Sequence, residues 1–196
     1  MKKAPLIFAI SLIFVCSAFG QENYLGKGNA LLDRGDFDGA EKVFRNGINA
    51  EPENDVLQCQ LGLVLIKRKK YDEAEQLLGK LIKMDSLHIG ANWYSGIGSY
   101  QNAKDRQAIL HFERVLLLVD KNKAQYFAAN WYIGKSYSNL LRTEGLTYAE
   151  TDRMFECYEE YLRLQPDAKD SKEIRGYVER KKKRRPSDNV LKWMDL

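Results

Sequence analysis

The residues best suited to chemistry are few and isolated in this sequence. The two histidines, His88 and His111, have no zinc-type partner at helical spacing. Gly96 and Gly98 match part of a nucleotide-binding glycine motif, but the third glycine is missing and no strand precedes them. The acidic residues form no isolated pair in an apolar setting, the arrangement that acid–base catalysis uses. We therefore predict that the protein is not an enzyme and that it binds no metal and no cofactor.

The most concentrated charge is a run of six basic residues from Arg180 to Arg185. The chain has 31 Lys and Arg against 27 Asp and Glu, a net charge of +4, so this run accounts for the basic balance. It is either a solvated helix end, where cations are favoured by about 0.3–1 kcal/mol each, or a contact for an anionic membrane surface. We predict no nucleic-acid partner, because no aromatic residues for base stacking alternate with these charges.

The first twenty residues have the layout of a targeting segment. They begin with Lys2 and Lys3, continue with an apolar run from Leu6 to Val15, and end in small residues at Ala18 and Gly20. This order is typical of a secretory signal peptide, here cleaved before Gln21. The alternative is an inner-membrane anchor at residues 4–19, although a bilayer span needs about 20 apolar residues. We therefore expect a secreted or periplasmic protein.

Three features of the remaining chain recur every 34 residues. They are a glycine (Gly28, Gly62 and Gly96), an alanine (Ala40, Ala74 and Ala108) and a large apolar residue (Phe44, Leu78 and Phe112). A fixed period of 20–50 residues is typical of repeat architectures. Within the second 34-residue period, apolar residues from Tyr71 to Ile82 recur at spacings of three and four residues, as in an amphipathic helix. Four consecutive basic residues at 67–70 separate this segment from an earlier apolar segment. We therefore predict two helices in each 34-residue period.

These residues and their period resemble the tetratricopeptide repeat (TPR), a helix–turn–helix unit of about 34 residues. The resemblance implies an all-α, TPR-type α-solenoid, a right-handed superhelix of such units. It also implies that the recurring glycines and alanines lie where the two helices of a unit cross closely. We expect repeats at about residues 21–54, 55–88, 89–122 and 127–168, then a capping helix with a basic end at 169–185 and a tail at 186–196.

The fourth repeat contains an insertion. Gly134 and Pro166 are eight residues further apart than Gly28 and Pro52 are. Eight residues amount to about two helical turns, so they either lengthen the helices or form a projecting loop between residues 141 and 151.

The resemblance also implies a binding surface, because the first helix of each TPR unit lines the concave side. The residues implied to face a partner are Leu25, Asn29, Leu63, Ile66, Trp93, Ile97, Tyr100, Trp131, Lys135 and Asn139, with Leu32 and Cys59 at corresponding positions. Trp93, Tyr100 and Trp131 either anchor a partner or fill the inner bend between helices. A clamp for a C-terminal carboxylate is not predicted, since uncharged residues stand at most of the positions that require a donor.

Cys59 and Cys157 belong to different repeats of this scheme. Each unit of a solenoid touches mainly its neighbours, so we predict that both are buried free thiols. Cys16 is interpreted as part of the apolar leader.

The leading hypothesis is a non-catalytic adaptor of the cell envelope that binds a protein or peptide on its concave face. The alternative is a scaffold that self-associates through its last unit and the apolar tail around Trp193.

Overall fold

The computed structural model describes residues 23–194, which contain nine α-helices. Their bounds are α1 Tyr24–Asp33, α2 Phe37–Ala50, α3 Asp55–Lys67, α4 Tyr71–Met84, α5 Ile89–Gln101, α6 Asp105–Leu116, α7 Ala124–Thr143, α8 Tyr148–Leu164 and α9 Ser171–Arg184. Within this part of the chain, no helix is both long enough and apolar enough to cross a bilayer. The predicted leader and its cleavage before Gln21 lie outside the described residues.

The helices pack as a row of antiparallel pairs. Each helix from α1 to α8 contacts the next one in sequence, and the first helices α1, α3 and α5 also contact one another in order. The second helices α2, α4, α6 and α8 make no comparable contacts with one another in the described chain, as expected when the first helices lie on the inner side of a curved array. The prediction of an all-α TPR-type solenoid is confirmed.

Asx side chains begin several of these helices. Asn23, Asp36 and Asn54 each accept a hydrogen bond from a backbone amide three residues later, at 2.7, 2.9 and 3.1 Å. Thr147 and Glu150 form a reciprocal capping box at the start of α8. Each cap satisfies an amide that has no partner within its helix and contributes about 1 kcal/mol.

Four glycines lie where the two helices of a pair cross. A Cβ atom added to Gly28, Gly62, Gly96 or Gly134 would lie between 2.3 and 2.8 Å from a ring or methyl carbon of the second helix. The partners in the second helices are Phe44, Leu78, Phe112 and Tyr158 respectively. No real Cβ atom tolerates such distances, so any larger residue would force the helices apart.

The extra residues of the fourth pair are mostly helical. α7 has 20 residues and α8 has 17, compared with 13 in α5 and 12 in α6. Only residues 144–147 connect α7 to α8. α7 is about two helical turns longer than α5 and α8 is more than one turn longer than α6, yet Tyr158 still packs on Gly134 and the apolar faces remain in register.

Two buried clusters form the core. One is centred on α2 to α4 and the other on α6 to α9, and Ile97 of α5 packs against both. A buried carboxylate, Glu41 of α2, also joins the first pair to the second through Arg68 and Lys70.

Candidate functional site

Aromatic rings of α5 and α7 meet on the inner side of the array. Trp93 and Tyr100 lie on α5, Trp131 and Tyr132 on α7, and all four are half-buried. Tyr100 contacts Trp131 edge-on at 6.2 Å between ring centroids and Tyr132 at 5.1 Å, and Trp93 lies 6.3 Å from Tyr132. We call Trp93, Tyr100 and Trp131 the aromatic patch. Edge-to-face contacts of this kind fix the orientation of each ring.

The aromatic patch is also part of the helix packing. Trp93 lies edge-on to Phe112 of α6, and Tyr132 stacks on the same ring at 4.7 Å. The patch residues thus fill the inner bend with one side, as one of the two interpretations proposes. Each of the three rings also keeps part of its surface accessible, as a partner-binding role requires.

Trp131 is held in place by the start of α9. Its indole N–H donates to Asp170 Oδ2 at 2.6 Å, and the hydroxyl of Tyr161 donates to Asp170 Oδ1 at 2.7 Å. Burial alone would raise the pKa of Asp170, but these two hydrogen bonds outweigh burial and lower it. The carboxylate is therefore ionised at neutral pH and locks the Trp131 ring against the capping helix.

Lys135 lies one turn beyond Trp131 on α7. Its Nζ atom lies 5.4 Å from the centre of the Trp131 ring, within cation–π range. Within residues 23–194, no carboxylate lies at ion-pair distance from Lys135, but its charge acts on Asp170 and helps to lower the pKa of that carboxyl group. A half-buried cation next to an aromatic surface can therefore accept an anionic group from outside the chain.

Asn139 serves the internal structure of this region. Its side-chain amide donates to Asp105 Oδ1 at 3.1 Å, and its oxygen accepts from Arg142 at 2.8 Å. Asp105 is 8% exposed, so this hydrogen bond satisfies a largely buried carboxylate at the start of α6. Asn139 thus stabilises the contact between α6 and α7.

The residues expected on the inner face of the first two helix pairs differ in how exposed they are. Leu25 is 37% exposed, and Asn29 and Leu63 are half-buried. Ile66 is only 1% exposed, because the Cα of Gly98 on α5 packs against it. Ile66 is therefore a core residue and is not available to a partner, which corrects the expectation for this position. Cys59 is buried in the same way against Gly90.

The histidines have structural roles. His88 caps α5 through Nδ1 and contacts Asp55 through Nε2 at 2.9 Å, linking the starts of α3 and α5. His111 bonds to Asn92 at 3.0 Å, and burial together with Arg114 lowers its pKa to about 4. The described part of the chain contains no group of three His, Cys, Asp or Glu side chains placed to hold a metal ion.

Cys59 and Cys157 are free and buried, which confirms their prediction. Burial raises the pKa of both thiols to about 12. Neither sulfur is therefore a nucleophile at neutral pH.

Much of the basic run at the end of α9 is engaged within the chain. Lys182 pairs with Glu159 of α8 and lies over the Phe155 ring. Arg185 pairs with Asp152 at 2.6 Å and stacks on Tyr148 at 3.6 Å. These contacts attach the capping helix to the acidic face of α8, so fewer charges remain for an external surface than the sequence suggests.

Two residues of this region were missed by the sequence analysis. Tyr132 links the rings of α5, α6 and α7, and Asp170 holds Trp131 across 39 residues of sequence. The only sequence signal for Asp170 is its position just before the capping helix, which is typical of a helix N-cap.

Residues 31–87 match the family model of the tetratricopeptide repeat. Among solved structures, the chain is similar to MamA, with 22% identity, a TM-score of 0.64, and coverage of 80% of this chain and 84% of MamA. It is similar to YrrB, with 20% identity, a TM-score of 0.60, and coverage of 78% and 73%. A tetratricopeptide repeat protein from Parabacteroides merdae has 15% identity and a TM-score of 0.63, with coverage of 84% of this chain and 60% of that one. The repeat match shows that residues 31–87 contain tetratricopeptide repeats, and the four glycine crossings and the shared fold show that the described chain as a whole has the TPR-type solenoid fold.

Proposed function

We propose that this protein is a non-catalytic interaction module that binds a protein or peptide segment on its inner face, at the aromatic patch and Lys135. The observation that carries this proposal is the juxtaposition of three half-buried rings with a lysine that forms no ion pair among the described residues. Aromatic side chains dominate the energetics of protein interfaces. A cation at the end of such a surface adds selectivity for charge.

The geometry favours an extended or helical segment with an apolar anchor and an acidic group. The rings are already fixed by Phe112, Tyr132 and Asp170, so binding would lose little side-chain entropy. An apolar side chain would pack on Tyr100 and Trp131, and an acidic group next to it would reach Lys135. The solved structure of YrrB is described as that of a TPR protein with an unusual peptide-binding site, which supports a peptide as the ligand class.

Photo-crosslinking from defined positions tests this proposal. A photoreactive phenylalanine analogue at Ile97 should capture a partner in cells, whereas the analogue at Lys80 on the exposed face of α4 should not. Tyr100→Ala and Lys135→Glu should each reduce the yield at Ile97 by about tenfold, as expected when an anchor worth about 1.4 kcal/mol is removed.

The double variant Trp93→Ala, Trp131→Ala should also lose the partner, but it removes packing as well. Trp131→Phe is its matched control, since it keeps an aromatic ring but loses the hydrogen bond to Asp170 and part of the indole surface. Equal capture from Lys80 and Ile97, or unchanged capture by Lys135→Glu and Tyr100→Ala with intact helicity, would rule out the inner face.

We further propose that the protein acts in the cell envelope, on the basis of its leader sequence. Intact mass measurement of protein recovered from envelope fractions should show a chain that begins at Gln21. A chain that retains residues 4–19 would instead support the anchored alternative. The alternative hypothesis is self-association through the last unit and the tail around Trp193. We do not propose it here, because residues 192–194 pack on their own chain.

A further inference from the structure

The turn within the fourth helix pair, between α7 and α8, differs from the turns within the first three pairs. Each turn contains one residue with positive φ, namely Gly35, Lys69, Ala103 and Gly145. In the first three turns, the amide of the following residue donates back to the preceding helix: Asp36 to Leu31, Lys70 to Leu65 and Lys104 to Ser99, at 2.8–2.9 Å. In the fourth turn, the corresponding amide belongs to Leu146 and has no such partner in its own helix pair.

The C-terminal tail supplies the missing partner. The Leu146 N–H donates to Trp193 O, and the Trp193 N–H donates to Leu146 O, both at 2.8 Å, in an isolated antiparallel bridge. Leu146 is fully buried, so without the tail its amide and carbonyl would lose their partners.

Side chains of the tail also contact the residues around the α7–α8 turn. The Trp193 ring packs against the core cluster of α6 to α9. Lys192 Nζ donates to the carbonyl of Glu144 at 3.0 Å, where the C-terminus of α7 favours a cation. Gly145 leaves room for the segment, because an added Cβ would lie 2.9 Å from Trp193 O and 2.8 Å from Met194 Cγ.

From this geometry we propose that the α7–α8 turn is an acceptor site for an extended peptide of the form basic residue, tryptophan, apolar residue, and that the tail of this chain occupies it in cis. Backbone pairing through Leu146 provides the strand-like recognition, and the Trp193 position provides the sequence preference. The site is formed by residues 144–146 and 192–194, and none of these residues belongs to the aromatic patch, so its test does not depend on the proposed function.

The test uses the full chain and a labelled synthetic peptide of residues 187–196. In the wild-type protein, the tethered tail competes at an effective concentration of about millimolar. Trp193→Ala weakens this competitor, so fluorescence anisotropy should show saturable binding of the peptide at least about tenfold tighter to Trp193→Ala than to the wild type. A peptide with its own tryptophan replaced by alanine should not bind, and Leu191→Ala, which changes a side chain that is 91% exposed, should behave like the wild type.

Hydrogen exchange at Leu146 provides a second measurement. Its amide should exchange faster in Trp193→Ala than in the wild type and should slow again when the peptide is added. The amides of Glu144 and Gly145 should change little, since both donate to Leu140 O. Unchanged exchange at Leu146 in Trp193→Ala, or equal peptide affinity for the two proteins, would overturn the proposal. Absence of saturable binding to a Trp193→Ala chain with intact helicity would also overturn it.

Discussion

Replacement of Glu41 by glutamine should destabilise the protein in a way that depends on pH. Glu41 is 7% exposed and accepts hydrogen bonds from Arg45 at 2.8 Å, from Lys70 at 3.0 Å, and from Arg68. Burial alone would raise the pKa of this carboxyl group. The hydrogen bonds from Lys70, Arg45 and Arg68 outweigh burial and lower the pKa from 4.5 to about 2.

The size of this effect follows from linkage. One pKa unit corresponds to about 1.4 kcal/mol, so a pKa of about 2 in the folded state corresponds to about 3 kcal/mol at neutral pH. The three cations are themselves partly exposed, and solvent screening reduces this figure to about 2–3 kcal/mol. Because the folded pKa is depressed, the contribution is complete above about pH 4.5 and is lost as the pH falls through about 2.

Urea denaturation followed by circular dichroism measures this contribution. Glu41→Gln should unfold at a clearly lower urea concentration than the wild type at pH 7, and the difference should shrink from pH 4.5 downward. Glu73→Gln is the matched control, because Glu73 also pairs with Arg45 but its side chain is 45% exposed. Its effect should be below about 1 kcal/mol. A difference for Glu41→Gln that is independent of pH, or no larger than that for Glu73→Gln, would refute the reasoning.

Three further predictions concern packing and titration. Gly134→Ala should destabilise the protein by about 1–3 kcal/mol in thermal melts, because its Cβ would lie 2.8 Å from the Tyr158 ring. Gly79 has open space around it, so Gly79→Ala should instead stabilise the protein by about 0.5–1 kcal/mol. Burial, together with Arg114, lowers the pKa of His111 from 6.5 to about 4, so the unfolded chain binds the proton more readily and stability should fall as the pH drops from about 6.5 to 4. His111→Gln should flatten that part of the stability profile, and an unchanged slope would contradict the assignment. Burial raises the pKa of Cys59 and Cys157 to about 12, so a thiol reagent at pH 8 should label both only after denaturation, and rapid labelling of the native protein would show that the thiols are accessible.

The inner face shows how far the sequence could predict the candidate site. The repeat register placed Trp93, Tyr100 and Trp131 on the first helices, and the structure brings these rings together. The register could not predict that Ile66 lies beneath Gly98, because burial there depends on how closely α3 approaches α5. Nor could it predict the role of Asn139, whose partner Asp105 lies 34 residues away.

The sequence alone determined the repeat period, the helical pairs and the positions where their backbones cross. These properties depend on local spacing and on the absence of a side chain at Gly28, Gly62, Gly96 and Gly134, so they can be inferred from the sequence without a structure. Only the tertiary structure decided the contacts between distant segments, such as Trp131 with Asp170 and Leu146 with Trp193. Those contacts depend on how successive pairs are rotated and on where the chain returns after α9, and no short-range pattern encodes either.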